Sequence, residues 1–400
     1  MNDVTRYADM KDSGVEWIGK IPSHWETSTI GALYELRSEK VSDKDYPPLS
    51  VTQKGILHQL ESVAKTDDGD NRKLVCKNDF VINSRSDRRG SCGISPYTGS
   101  VSLINIVLNP KNKMNHNYYN WLFHSEMFSD EFYKWGRGIV DDLWTTRWSE
   151  MKKINIPVPP LSMQSDIASY LDDQCAKIDD LIEEARSSIE EYKKWKASVI
   201  YEAVTKGLDP HVEMKDSGVE WIGKIPKHWK AIKAKFLVSI ENGSDPVSEG
   251  DIPVYGSGSS SFKTCGESKK FPSVLLGRKG ATLHIPHYIN EPFWNVDTAF
   301  NVYVKNNNIL LIFYYYCSIC FDYKYYISAT TLPSMTQTNY KGMVIPIPTI
   351  NEQHEIVFYL DTKCSEIDQL ISEKAALIAD LEKYKKSLIY EVVTGKRMII

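Results

Sequence analysis

The feature that most constrains this 400-residue chain is an internal repeat. Residues 10–25 read MKDSGVEWIGKIPSHW and residues 214–229 read MKDSGVEWIGKIPKHW, which differ only at Ser23 against Lys227. A second pair, IPVPPLSMQSDIASYLDDQCAKIDDLI from Ile156 and IPIPTINEQHEIVFYLDTKCSEIDQLI from Ile345, continues without a gap to SVIYEAVTKG (198–207) and SLIYEVVTGK (387–396). The register shift is 204 residues in the first pair (214 minus 10) and 189 in the second (345 minus 156), so the segments between them differ in length by 15. Those segments, roughly 26–153 and 230–342, share little identity. Self-similarity at this scale governs the fold before any local signal does. It predicts a tandem duplication: a nearly constant framework that carries two diverged inserts.

The constant part contains a long helix. Leu171, Cys175, Ile178, Ile182, Ala185, Ile189, Tyr192, Lys196, Val199 and Ala203 alternate spacings of 4 and 3, which is the seam of a coiled coil over about 167–205. Adding 189 gives Leu360, Cys364, Ile367, Ile371, Lys374, Ile378, Leu381, Lys385, Leu388 and Val392, with Lys374 as the one clear lapse. Lys196 and Lys385 hold equivalent seam positions, where each either fixes register or extends its ammonium to water. At 1.5 Å per residue such a helix is about 58 Å long. The order insert, helix, insert, helix, with equivalent halves, predicts antiparallel helices, neighbouring termini and an approximate two-fold axis.

The expected division is a framework repeat at 1–25, a first insert at 26–153 and a framework region at 154–229. A second insert at 230–342 and a second helical region at 343–400 follow. Within the inserts, DFVINSRSDRRGSCGIS reads as a strand entering a basic loop with Arg85, Arg88 and Arg89. SVLLGRKGATLHI reads likewise, with Arg278, Lys279 and Gly280. Each insert then offers a strand (VSLINIVL; TAFNVYV), an aromatic helix (YYNWLF; IFYYYC) and a polar stretch (WTTRWSEM; PSMTQTNY). The inserts read as compact α/β domains, and the chain as α+β.

The whole-chain charge of -4 gives no sign of a polyanionic partner. The distribution does. Residues 26–153 hold 18 Lys and Arg against 17 Asp and Glu, and residues 230–343 hold 11 against 8. Residues 164–209 hold 6 against 11 and residues 351–400 hold 7 against 9. Mildly basic inserts are therefore offset by acidic helices. Arg-bearing loops can reach phosphates or the O6/N7 edge of guanine, although a lone Arg loop is more often simply solvated surface. No apolar run of about 18 residues is present and the first residues lack a signal-peptide core, so a cytoplasmic chain with no membrane contact is expected. The seven scattered Cys suit reduced thiols.

Catalytic patterns are missing. Gly14 to Lys20 and Gly218 to Lys224 imitate a phosphate-binding loop, but Ile21 and Ile225 stand where a metal-holding hydroxyl is needed, and Pro22 and Pro226 oppose the helix. Cys317 and Cys320 have no second pair to complete a zinc site, the nine His show no metal-ligand spacing, and Glu191-Tyr192-Lys193 falls on the coiled-coil helix. Only Ser95-Pro96-Tyr97 approaches the Asp/Asn-Pro-Pro-Tyr/Phe segment used in adenine methylation, so the chain reads as a binder and not an enzyme.

KDSGVEWIGKIPxHW before a variable domain, then IPxPxxxxQxxIxxYLDxxCxxID opening a helix that ends xIYExVT, all present twice, resembles the DNA-specificity subunit of type I restriction-modification systems. The resemblance spans essentially the whole chain. It implies that the inserts are target-recognition domains, each reading one half of a bipartite, asymmetric double-stranded DNA sequence. It also implies that the paired helices act as a ruler for the gap between half-sites. The subunit would be non-catalytic and hold no cofactor. Two modification subunits would bind S-adenosylmethionine and methylate adenine, and two restriction subunits using ATP and Mg would join them in phage defence. A non-catalytic coiled-coil scaffold joining two protein-binding modules is the alternative.

For partner contact the repeated Trp17, Trp25, Trp221 and Trp229 are candidates, or else they dock each insert on the helices. For DNA contact the candidates are Arg85, Arg88, Arg89, Arg278 and Lys279. Ser50, Thr52, Gln53, Lys54, Thr145, Arg147, Ser259, Lys263, Thr336 and Gln337 follow from loop position and chemistry.

Overall fold

The computed structural model describes residues 7–59, 69–138, 144–326 and 333–399. The chain divides into two units, one made of 1–185 with 376–400, the other of 186–375. Both long helices cross this division.

The first long helix is Leu161–Lys206 and the second Ile350–Val393. The first begins directly after Pro159-Pro160, and the second opens on a capping box in which the Glu352 carboxylate accepts from the Thr349 N–H (3.0 Å) and hydroxyl (2.7 Å). Both end on a left-handed glycine, Gly207 (φ 75°) and Gly395 (φ 70°), a conformation that costs glycine little. All ten seam positions of each helix are buried or half-buried, Lys374 included.

In the first unit the helices run antiparallel. Lys385 meets Asp179, while the Tyr118 hydroxyl donates to Val393 O at 2.9 Å and lies 3.4 Å from Pro157 O, just ahead of the first helix. Residues 390–397 return to the framework repeat: the Tyr390 hydroxyl donates to Trp17 O (3.1 Å) and the Lys396 ammonium to Ile18 O. The expected closeness of this helix end to the N-terminal framework is therefore present. In the second unit Lys196 meets Asp368, and Leu208 shares a shallow groove with Glu355, Phe358 and Tyr359, which gives the same antiparallel sense.

Each unit repeats the other. A framework hairpin (Met10–Asp12 with Lys20–Pro22; Met214–Asp216 with Lys224–Pro226) occupies the stretch that imitates a phosphate loop, so those glycines turn a hairpin and no helix follows. Next, Glu26–Thr29 pairs antiparallel with Asn155–Val158, and Lys230–Lys233 with Val344–Ile347, which clasps the two ends of each insert together.

Inside the first insert a four-stranded sheet runs Tyr34–Leu36, Asn105–Pro110, Phe80–Asn83, Cys92–Ile94; inside the second, Val238–Asn242, Ala299–Val304, Ser273–Gly277, His287–Ile289. The order is the same although the sequences are not. All of these pairings are antiparallel, and among named strands only Ile252–Tyr255 with Trp294–Asn295 is parallel. The inserts are thus antiparallel α+β domains, not α/β in the strict sense. Both expected aromatic helices form, at His116–His124 and Leu311–Ile319.

A buried glutamine fastens each aromatic helix to a long helix. The Gln164 carbonyl accepts from Asn115 N (2.9 Å) and its amide donates to Pro159 O (2.9 Å). Gln353 accepts from Leu310 N (2.8 Å) and donates to Asn308 O (3.0 Å). Asn115 and Leu310 are the N-caps of the two aromatic helices.

Trp25 and Trp229 are almost fully buried (0% and 1% exposed), as is Trp17 (6%), while Trp221 is half-buried. A methyl group on Gly395 or Gly207 would stand 3.1 Å from the ring of Trp25 or Trp229 respectively. Trp17 donates to Asn155 O at 3.2 Å. These rings join framework, insert and helix end. The expectation of partner contact is corrected for Trp17, Trp25 and Trp229, because packing within each unit leaves no face for another molecule.

Candidate nucleic-acid interface

In the first insert the buried strand Phe80–Asn83 delivers the chain into a loop whose single 3-10 turn covers Ser86–Arg88. Gly90, at φ 73°, turns it back into Cys92–Ile94. The Tyr133 hydroxyl buttresses the loop by donating to Arg85 O at 3.1 Å. Arg89 pairs with Asp130 and lies over the Tyr133 ring at 5.7 Å, so much of its charge is spent on holding the loop. Arg88 is exposed and only loosely paired, 3.7 Å from Asp87. Arg85 is exposed and forms no ion pair among the described residues.

Several of the sequence-derived candidates converge here. Ser50 and Thr52 belong to the strand Leu49–Thr52 of a tight hairpin with Gly55–His58, whose turn is closed by the Thr52 hydroxyl on Gly55 O (2.9 Å). At the hairpin's tip Lys54 is exposed, and Gln53 donates to Arg89 O at 3.0 Å, which ties the hairpin to the arginine loop. Thr145 bridges antiparallel to Arg85, and the next residue, Thr146, donates from its backbone to Ser84 O (3.0 Å). Arg147 is exposed at the N-terminus of the short helix Trp148–Met151. On its other edge Thr145 exchanges two backbone hydrogen bonds with Arg137 (3.0 and 3.1 Å), an exposed residue that the sequence reading does not single out. The available signal was its place between Gly136 and Gly138.

The second insert builds the same arrangement. Lys279 bridges antiparallel to Ser334, and Met335 N donates to Arg278 O (2.9 Å). Subtracting 145 from 334 gives 189, the shift of the framework repeat, so the structural repeat reaches back through the polar stretch. Arg278 folds back on its own domain, donating to Asp297 O at 3.2 Å and lying over the Phe300 ring at 6.0 Å. Lys279 is half-buried. Gly280, at φ 112°, brings the loop against Ser257, and the Thr282 hydroxyl donates to Ser257 O (3.1 Å). The loop with Ser259 and Lys263, both exposed, therefore lies beside the basic loop. Thr336 caps the helix Gln337–Gly342, while Gln337 donates to Asn242 at 3.0 Å; both are engaged in local structure.

Among the described residues no group of three or more His, Cys, Asp or Glu is placed to hold a metal ion, and no helix is long and apolar enough to cross a membrane. Burial pushes the Cys317 thiol well above its ordinary range and Cys320 up to about 12.

A family model described as the type I restriction modification DNA specificity domain matches residues 22–191 and, a second time, residues 226–379. The chain belongs to this family. Two specificity subunits from Methanocaldococcus jannaschii are similar along nearly their whole length. The MjaVIII type I restriction enzyme specificity subunit is 25% identical over 423 residues, covering 94% of each chain. The putative MjaX specificity subunit is 24% identical over 426 residues, covering 95% of each. The fold is also that of a chain solved in work on complex assembly and conformational transition of the type I R-M system, with a TM-score of 0.75, 13% identity, and 93% of this chain and 98% of that one covered. The HsdS subunit from Thermoanaerobacter tengcongensis matches with a TM-score of 0.53 and 15% identity, covering 94% and 98%. In this specificity-family chain the two matched segments each contain a basic loop, a bridging polar stretch and the first part of a long helix.

Proposed function

We propose that this specificity subunit reads a bipartite, asymmetric double-stranded DNA target, one half with each insert, and scaffolds two modification subunits. The observation that carries the reading is the recurrence of one basic construction in two inserts of unlike sequence: Arg85 bridged to Thr145, and Lys279 bridged to Ser334. Cations fixed by backbone pairing on a sheet-supported loop suit phosphates and base edges, where arginine and lysine supply donors. Because the inserts differ, the half-sites differ. Because the frameworks are nearly identical, two copies of one partner find equivalent seats.

On this reading the subunit is non-catalytic and works in the cytoplasm without a cofactor of its own. S-adenosylmethionine belongs to the modification subunits, and ATP with Mg to restriction subunits that join them. Arg85, Arg88, Arg147, Lys54, Lys263 and Lys279 are the DNA-facing candidates, with Arg89 and Arg278 holding their loops. The inserts' small positive balance predicts weak DNA binding by the isolated chain and tight binding only in the complex. A gel-shift with the modification subunits present and absent, followed by mapping of methylated adenines, tests this. A bipartite motif with two unlike halves is expected. A complex without sequence-selective DNA retention would leave the protein-binding scaffold as the better reading.

A further inference from the structure

In the first insert Arg85, Thr145 and Arg137 lie on three neighbouring strand segments in one register. Directly opposed residues of adjacent strands project from the same face. The Arg137–Thr145 pair exchanges both backbone bonds, and the Arg85–Thr145 pair is held by the flanking bond from Thr146 to Ser84. Such pairs place their Cα atoms about 5.5 and 4.5 Å apart, so the two arginines stand about 10 Å apart with Thr145 between them.

The base of this comb is rigid. The Thr146 hydroxyl is buried on Phe132 O at 2.9 Å, the Trp144 indole donates to Tyr133 O at 2.8 Å, and Tyr133 donates in turn to Arg85 O. A side chain at Gly136 would collide with the Trp144 ring, so the close approach that aligns Arg137 requires glycine there. Above this base the guanidinium groups are open: the Arg137 side chain is 82% exposed and its nearest carboxylate, on Glu150, is 4.0 Å away.

We propose that Arg137 is a specificity-determining residue of the first half-site, reading a guanine in the major groove as one tooth of a two-arginine comb with Arg85. The inference rests on the DNA-reading function proposed above. A guanidinium fork matches the O6/N7 edge of guanine in two hydrogen bonds, and a separation of about 10 Å corresponds to about three base-pair steps of 3.4 Å. Arg85 and Arg137 therefore read positions about three base pairs apart.

The test uses the full chain assembled with its modification subunits to select from a randomised double-stranded DNA library. Arg137→Ala is expected to reduce discrimination at one position of one half-site by about 10- to 100-fold, with the other half-site unchanged. Arg85→Ala is expected to flatten a second position about three base pairs away. Arg137→Lys does not restore the preference, because an ammonium cannot make the fork, and thermal melting shows that the variants remain folded. Equal weakening on all sequences, with the salt slope reduced by about one, would make Arg137 a phosphate contact and overturn the proposal; so would an unchanged motif. If the unaltered complex selects no sequence at all, the DNA-reading function itself fails instead.

Discussion

The Lys196 ammonium lies 2.6 Å from the Asp368 carboxylate, and Lys385 repeats this pair with Asp179 at 2.6 Å. Subtracting 189 from 385 and from 368 returns 196 and 179, so one ion pair is made twice. Each joins a lysine of one helix's seam to an aspartate on the other helix, and so specifies which residues of the helices stand opposite. Both carboxylates are more than half exposed, so each pair stabilises little and serves register. Lys196→Asp should lower the melting temperature slightly, and Lys196→Asp with Asp368→Lys should recover most of the loss. A double-mutant cycle giving a coupling of about 0.5 kcal/mol or more, and falling with added salt, checks it.

Glu352 ties the second framework together. Burial pushes its carboxyl up, but hydrogen bonds from Thr349, Trp229 and His228 outweigh this and hold it down to about 2. A depressed folded-state value contributes stability that is fully present above about pH 4.5 and is lost as pH falls towards 2. Glu352→Gln should therefore flatten the fall in melting temperature across that window, measured by calorimetry from pH 2 to 6.

The matching position in the first unit is Met163, and the buried Trp25 Nε1 there has no hydrogen-bond partner among the described residues. Met163→Glu should give it one and stabilise that unit by about 1 kcal/mol at neutral pH. Denaturant unfolding monitored by tryptophan fluorescence measures the gain.

Gln353→Ala removes the acceptor of Leu310 N–H and the donor to Asn308 O. Stranding buried backbone groups should cost about 1–3 kcal/mol. Gln164→Ala should cost about as much, through Asn115 and Pro159. Urea unfolding of each variant provides the comparison.

If the paired helices set the gap between half-sites, removing one heptad from each shortens them by about 10 Å, or about three base pairs. Methylated sites mapped for this variant should then show a spacer shorter by that amount, with both half-sites unchanged.

Much of this was legible in the sequence because it depends on period. The 4-3 spacing picked out helix positions that are all buried or half-buried, and the two shifts of 204 and 189 located the framework. The order of elements within the inserts could also be read, because each strand ends in a basic loop and each aromatic run forms a helix. What could not be read depends on where a side chain goes once the chain is folded. Nothing local shows that Arg89 turns to Asp130, or that Arg278 turns to Asp297. The shared four-strand order stayed hidden because FVIN and SVLLG are buried at every residue and carry no alternation. The tryptophans stayed undecided between two readings for a related reason: a large ring fits a partner surface and a framework core equally well until its surroundings are known. Arg137 escaped because its neighbour Thr145 lies eight residues away, beyond the reach of any short motif.

The first unit needs residues 376–400, whereas the second is one continuous stretch, 186–375. Synthesis runs from the N-terminus, and domains commonly fold in the order in which they emerge. Here the division of the chain runs against that order. The second unit has all its parts while the first still lacks the strand of helix that covers Trp17, Trp25 and Tyr118. An insert made before residues 376–400 would therefore leave that apolar face uncovered until they are added.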